Sequence, residues 1–274
     1  MTLAYTDILN TAIEAAREAG VILLHHLSYL RHIEVKNNQQ FNLVTEADKN
    51  AEDCIVQRIL THYPDHAILG EESGAHAGEA PFRWIIDPLD GTTNYTHAFP
   101  VFSVSIAVEH EGAIIVGVIY DPVRDEMFSA TRGGGAHLNG ERIHVSDAPS
   151  IEKAMLVTGF PYNIRENQNY FYERFRSFLK EAQAIRRLGS AALDCAYVAA
   201  GRLDGFWEVA LQPWDKAAGE LLVEEAGGRV SDFEGRKHDI FKLPFLASNG
   251  RIHDDMLRVL EEAKSLTITV NRRD

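Results

Sequence analysis

Three patterns in the 274-residue sequence predict an α+β fold: two amphipathic helical stretches open the chain, strand patterns fill its middle, and strands and helices take turns in the second half. The first helix starts at Thr6, a residue type suited to an N-cap, and carries Ile8, Ala12, Ala16, Ala19 and Leu23 at three-and-four spacing. A second is expected after Thr45, which stands at capping-box spacing from Asp48, with Ala47, Ala51, Ile55 and Ile59 on one stripe and a stop before Pro64. Between them the polar run Lys36-Asn37-Asn38-Gln39-Gln40 has no period and reads as a mobile surface loop or hairpin tip.

Trp84-Ile85-Ile86 reads as a strand that ends at Asp87-Pro88, because proline cannot donate to a sheet ladder. Phe102, Val104, Ile106 and Val108 then alternate with Ser103, Ser105 and Ala107, the period of a half-buried strand. Continuous apolar residues from Ala113 to Tyr120 and a third run from Met127 to Ala130 complete an antiparallel meander. Gly133-Gly134-Gly135 and Asn139-Gly140 mark tight turns; no helix pattern and no Lys-Ser/Thr follows the triple glycine, so it is not a phosphate loop.

The second half predicts a strand from Ala154 to Val157, helices from Tyr170 to Ala182 and Ser190 to Ala200, and a strand from Gly205 to Val209. A helix from Asp215 ends at Gly227-Gly228, short strands follow at Val230 to Asp232 and Pro244 to Ala247, and a helix closes the chain from Ile252 to Ala263. With no linker between the halves, the reading is two lobes of one compact unit, 1–148 and 149–274. The first lobe carries most of the acidic motifs.

A chain of this length removes roughly 70 to 75% of its unfolded surface from water, so neither disulfides nor structural metal are needed to hold a core. The 27 basic and 40 acidic residues give a net charge of −13, a field that repels nucleic acid and anionic membrane surfaces. A phosphate-bearing substrate would need a local cation to reverse it. The two cysteines, Cys54 and Cys195, lie in apolar helical patterns and read as buried reduced thiols. With no basic n-region at the start and no apolar run near the ~20 residues of a membrane span, the sequence predicts a cytoplasmic protein.

The densest chemistry is Asp87-Pro88-Leu89-Asp90-Gly91-Thr92-Thr93-Asn94. Two aspartates three apart around a kinked backbone can converge on one point, and so close a pair resists double ionisation unless a cation sits between them. Gly91 allows close backbone approach, and the Gly91 and Thr92 N–H groups at a helix start suit a phosphate oxygen. Glu71 or Glu72, after Ile68-Leu69-Gly70, and Asp215, after Gln212-Pro213-Trp214, stand just beyond apolar runs. Asp215 alone would equally serve as a helix cap. Hard oxygen donors, with 12 histidines that form no HExxH pattern, favour Mg²⁺ over zinc.

Taken in order, Leu43-Val44-Thr45 with Asp48, Gly70-Glu71-Glu72-Ser73, Asp87 to Asn94, and Trp214-Asp215 with Ala217-Ala218-Gly219 resemble the inositol monophosphatase family of Mg²⁺-dependent, lithium-sensitive phosphatases. Phe206-Trp207-Glu208 is similar to its bacterial inositol-1-monophosphatase branch. The resemblance implies a layered αβαβα sandwich, two or three Mg²⁺ ions, a homodimer, and hydrolysis of a small phosphomonoester such as myo-inositol 1-phosphate. Its implied metal ligands are Glu71, Asp87, the Leu89 carbonyl, Asp90 and Asp215. Thr92 and Asp48, with Glu71, would place the attacking water. Gly91 and Thr92, Gly189, Ser190 and Ala191, with Asp215 and the hydroxyl-binding Glu208, would contact substrate. Lys36 falls in a loop that the family places near the site. Asn42, Gln212 and the Gly159-Phe160-Pro161-Tyr162 loop depart from many relatives. Histidinol-phosphate and fructose-1,6-bisphosphate phosphatases share these motifs, and a scaffold role in a regulatory complex is the alternative outside enzymology.

Overall fold

The computed structural model describes residues 5–30, 39–160 and 168–270. Helices α1 (Thr6–Leu30) and α2 (Gln39–His62) pack against each other, and both bury alanines in one core cluster with the sheet, Ala12, Ala15, Ala16 and Ala19 from one, Ala47 and Ala51 from the other. Helix α2 begins six residues before Thr45, so the expected cap is an interior residue of the helix.

Strands β1 (Ala67–Gly70), β2 (Gly74–His76), β3 (Phe82–Asp90), β4 (Ser103–His110), β5 (Ala113–Asp121), β6 (Glu126–Thr131), β7 (Gly135–Leu138) and β8 (Glu141–Arg142) form one sheet in the order β2-β1-β3-β4-β5-β6-β7-β8. Only the β1–β3 pair is parallel. A short helix, α3 (Thr92–Thr96), follows β3. After a 3-10 turn at Ile151–Lys153, the second half adds β9 (Met155–Thr158), α4 (Gln168–Glu181), β10 (Ala184–Arg186), α5 (Ala191–Ala199), β11 (Gly205–Glu208), α6 (Pro213–Glu225), β12 (Arg229–Ser231), β13 (Phe245–Ser248) and α7 (His253–Val270). Its five strands order as β10-β9-β11-β13-β12.

Strand alternation sorts the core into layers. Trp84, Ile86, Val104, Ile106 and Val118 turn one face of the first sheet toward α1 and α2. Ile85, Ala107, Ile119 and Phe128 turn the other toward α5 and α6, which also receive Val157, Phe206 and Phe245 from the second sheet. Leu156, Trp207 and Leu246 face outward to Phe178 of α4 and Met256 and Val259 of α7. The result is helices, sheet, helices, sheet, helices, the expected sandwich. Gly117 makes the central contact possible: a Cβ there would lie 2.8 Å from the Ala218 carbonyl oxygen, so α6 rests directly on β5.

Pro88 does not end β3. Pairing with β4 passes from Asp87↔Ser105 to Asp90↔Ser103, so three residues of β3 span two of β4. Pro88 sits in this bulge, where the missing N–H breaks no ladder bond. Strands β1, β2 and β10 carry too few residues for a period to show in the sequence. Both cysteines are free thiols, Cys195 buried and Cys54 half-buried beside Glu18. No helix among the described residues is long and apolar enough to cross a membrane.

Candidate active site

The bulge in β3 builds the site. In a regular strand, residues three apart point to opposite faces; the extra residue puts Asp87 and Asp90 on the same side, toward α5 and α6. Between them Leu89 turns its side chain into the α1–α2 core. Its carbonyl accepts from Thr92 Oγ1 at 3.1 Å, and its N–H donates to Asp87 Oδ1 at 3.0 Å. Gly91 follows at φ +96°, with the Val101 and Gly189 carbonyl oxygens so close that a Cβ would meet them at 3.0 and 3.2 Å.

These residues open onto a cavity of about 380 Å³ that also receives Glu71 from the end of β1, Gly189, Ser190 and Ala191 from the start of α5, Glu208 from β11 and Asp215 from α6. Every site residue expected from the sequence lines it except Asp48. That carboxyl is buried on α2 beside Glu71 and Glu72, and its Oδ1 meets no donor among the described residues. Lys36, Pro161 and Tyr162 lie outside the described residues.

Two of the carboxylates are pinned by helix ends. Asp90 accepts from Ala191 N at 3.2 Å, Ala192 N at 2.9 Å, the Ser190 hydroxyl and Ser103 Oγ at 3.3 Å, so the first N–H groups of α5 are engaged by a protein carboxylate. Asp215 Oδ2 accepts from Gln212 N at 2.7 Å. It is a helix cap and a cleft residue at once, since one oxygen suffices for the cap.

The electrostatics are those of crowded like charges. Burial, then Glu71, Asp90, Asp215 and Asp48, hold the Asp87 carboxyl well above the usual carboxylate range. Burial raises Glu71, partly offset by a hydrogen bond to Asp87. Asp90 is raised by burial despite its four donors. Burial and the Asp90 charge push Asp215 up to about 7. Burial and Glu72, Glu71 and Glu52 push Asp48 up to about 8, and burial and Asp215 do the same to Glu208.

Among the described residues no three His, Cys, Asp or Glu side chains already close on a single point. The donor set nonetheless fits a hard divalent cation: Glu71, Asp87, Asp90, Asp215 and the Leu89 carbonyl supply only oxygen, and their mutual repulsion is what a cation would relieve.

Four neighbours carried no motif in the sequence. Glu52 of α2 accepts from Glu72 N at 3.0 Å and Ser73 N at 2.7 Å, fixing the turn that presents Glu71. Gly70 is required beside it, since a Cβ would lie 2.7 Å from Glu52 Oε1. Ser103, Arg187 and Asp194 complete the surroundings. Only a serine alternating along a strand and a lone acid in an apolar helix mark two of them.

Fold and cleft define an α+β protein with an acidic, cation-seeking site between two sheets. The inositol monophosphatase family model matches residues 4–265, and the chain belongs to that family. It is 46% identical over 259 residues to "Nus factor SuhB" of Pseudomonas aeruginosa, covering 93% of this chain and 96% of that protein. It is 41% identical over 264 residues to the inositol-1-monophosphatase of Mesorhizobium japonicum, covering 96% and 99%. The solved inositol monophosphatase of Anabaena (Nostoc) superposes with a TM-score of 0.87 at 43% identity, covering 94% of this chain and 97% of that one.

Proposed function

We propose that this chain hydrolyses small phosphomonoesters, myo-inositol 1-phosphate foremost, with divalent cations held by Glu71, Asp87, the Leu89 carbonyl, Asp90 and Asp215. The observation that carries the reading is the convergence of these oxygen donors, with raised carboxyl pKa values, on a cleft wide enough for a sugar-sized ligand. When bound, Mg²⁺ supplies charge to the phosphate oxygens and lowers the pKa of water. The chain itself binds and orients. The Thr92 hydroxyl, held by the Leu89 carbonyl, faces the cleft where an attacking water would be aligned. Asp48 acts from behind, through the charge of Glu71, and so is a positioning residue. Glu208, in its ionised form, would accept from a ring hydroxyl and repel a second phosphate.

Phosphate release from inositol 1-phosphate, histidinol phosphate, fructose 1,6-bisphosphate and glycerol 2-phosphate, each with Mg²⁺ and with chelator, tests the reading. Inositol 1-phosphate should be cleaved fastest, only with the metal, and lithium should inhibit. Undiminished activity in chelator, or no release from any ester, contradicts it. The name of the Pseudomonas relative supports a second, regulatory role beside hydrolysis. A catalytically dead Asp87→Asn chain that still fulfils the cellular role would establish that role as separable; its loss together with turnover would not.

A further inference from the structure

Asn94 ends the Asp87 to Asn94 motif without lining the cleft. From within α3 its side-chain Nδ2 donates to the Val101 carbonyl at 2.7 Å and the Leu188 carbonyl at 2.8 Å, with the Gly189 carbonyl oxygen at 3.4 Å. Carbonyl oxygens on every side fix which end of the amide faces them, because only the NH₂ end donates. Its two hydrogens are spent on the two short bonds. The Leu188 carbonyl has no other donor among the described residues. Asn94 is itself held by its main chain, whose carbonyl accepts from Phe99 N at 2.8 Å and His97 N at 3.1 Å.

The two short bonds join distant parts of the chain. Val101 lies just before β4, whereas Leu188 and Gly189 form the turn that leads into α5. These are the segments whose carbonyls close over Gly91, and a Cβ at Gly189 would in turn lie 3.1 Å from Asn94 Nδ2. The residues that follow, Ser190, Ala191 and Ala192, all donate to Asp90. A cation that draws on Asp90 would compete with those charged bonds. The Asn94 bonds are neutral and stand outside that competition.

We propose that Asn94 is a positioning residue of the hydrolytic site: it ties the turn before α5 to the segment before β4 and so keeps Gly189, Ser190 and Ala191 in place beside Gly91, whatever Asp90 holds. This rests on the phosphatase reading above. Without the tie, an ester meets cleft residues that are no longer fixed relative to one another, and the loss falls on its productive binding.

The test is kcat/KM for inositol 1-phosphate in Mg²⁺, with calorimetric Mg²⁺ binding to the ester-free protein, in the unmodified protein, Asn94→Ala and Asn94→Asp. Thermal melts give the folded fraction of each. Asn94→Asp keeps the side-chain volume and loses the donors, so it separates the bonds from mere filling of space. Per folded molecule, kcat/KM should fall at least about tenfold in both variants, while Mg²⁺ affinity changes by less than about threefold because the proposed cation ligands all remain. An unmoved kcat/KM in Asn94→Ala, or full activity in Asn94→Asp, overturns the proposal and leaves the phosphatase reading intact. An equal fall in Mg²⁺ affinity also overturns it, since Asn94 would then support the cation ligands instead. No release of phosphate by the unmodified protein overturns both. Should neither variant fold, Asn94→Ser, whose shorter side chain cannot span both carbonyls, is measured in the same way: a fall in kcat/KM without a matching fall in Mg²⁺ affinity supports the tie, and any other result overturns it.

Discussion

Asp232 and Asp87 are the same side chain, both hidden from water, at 8% and 2% exposure, and they behave in opposite ways. Asp232, in the turn after β12, accepts from Glu234 N and Arg236 N at 2.9 Å each and from Arg236 Nε at 2.7 Å. Burial pulls its carboxyl up, but these donors outweigh it and hold the group below its ordinary range. Asp87 has the Leu89 N–H and otherwise faces carboxyl groups, so burial and repulsion act together. Asp232 is matched by donors, whereas Asp87 is surrounded by its own kind. Asp90 lies between the two, pinned by four donors and still raised.

Several substitutions break or sharpen this contrast. Asp87→Asn should lower kcat at least about a hundredfold while the protein still folds, since it would remove a proposed cation ligand and also relieves repulsion. Phosphate release read beside a thermal melt checks both halves. Asp48→Asn should reduce kcat about tenfold and change Mg²⁺ affinity less, as befits a group behind the ligands; an equal loss of Mg²⁺ affinity would make it a ligand.

The two regions also impose opposite pH dependences on stability. For the cleft, the folded protein holds protons that the unfolded chain has released above the ordinary carboxylate pKa of about 4. Stability of the metal-free protein should therefore decline as pH rises from about 4 through the range of about 7 to 8 set by Asp215, Asp48 and Glu208. Mg²⁺ should flatten that decline. The Asp232 contribution runs the other way, present above its unfolded pKa and lost as pH falls through its depressed folded value. Urea titrations across pH, with and without Mg²⁺, would resolve the two. The smallest effect belongs to Asp232→Asn: a melting temperature lower by a few degrees, because the exposed Arg236 partner is screened by water, with turnover unaffected.

How far the site can be read from sequence follows from the same contrast. Asp87, Asp90, Glu71 and Asp215 are legible because charged residues at the ends of apolar runs have no reason in packing to be there. The helix stripes and the meander are legible because each carries several repeats of its period. Glu52 and Asp194 are not, since one acid among helix residues looks like an exposed charge until the turn or cleft it faces is known. Pro88 misleads for a related reason: a proline breaks a regular ladder, and only the pairing with Ser103 and Ser105 reveals a bulge that tolerates it. Thr45 and Asp48 have cap spacing, but the six residues before them continue the helix, so that local signal is overridden.

The central claim is that the cleft carboxylates are crowded because they hold a divalent cation. Calorimetric titration of Mg²⁺ into the metal-free protein at pH 7, in buffers of different ionisation enthalpy, reads affinity and proton release together. The account predicts binding with proton release, at least about tenfold weaker in Asp87→Asn and unchanged in Asp232→Asn. Binding without proton release, or full affinity in Asp87→Asn, would contradict it.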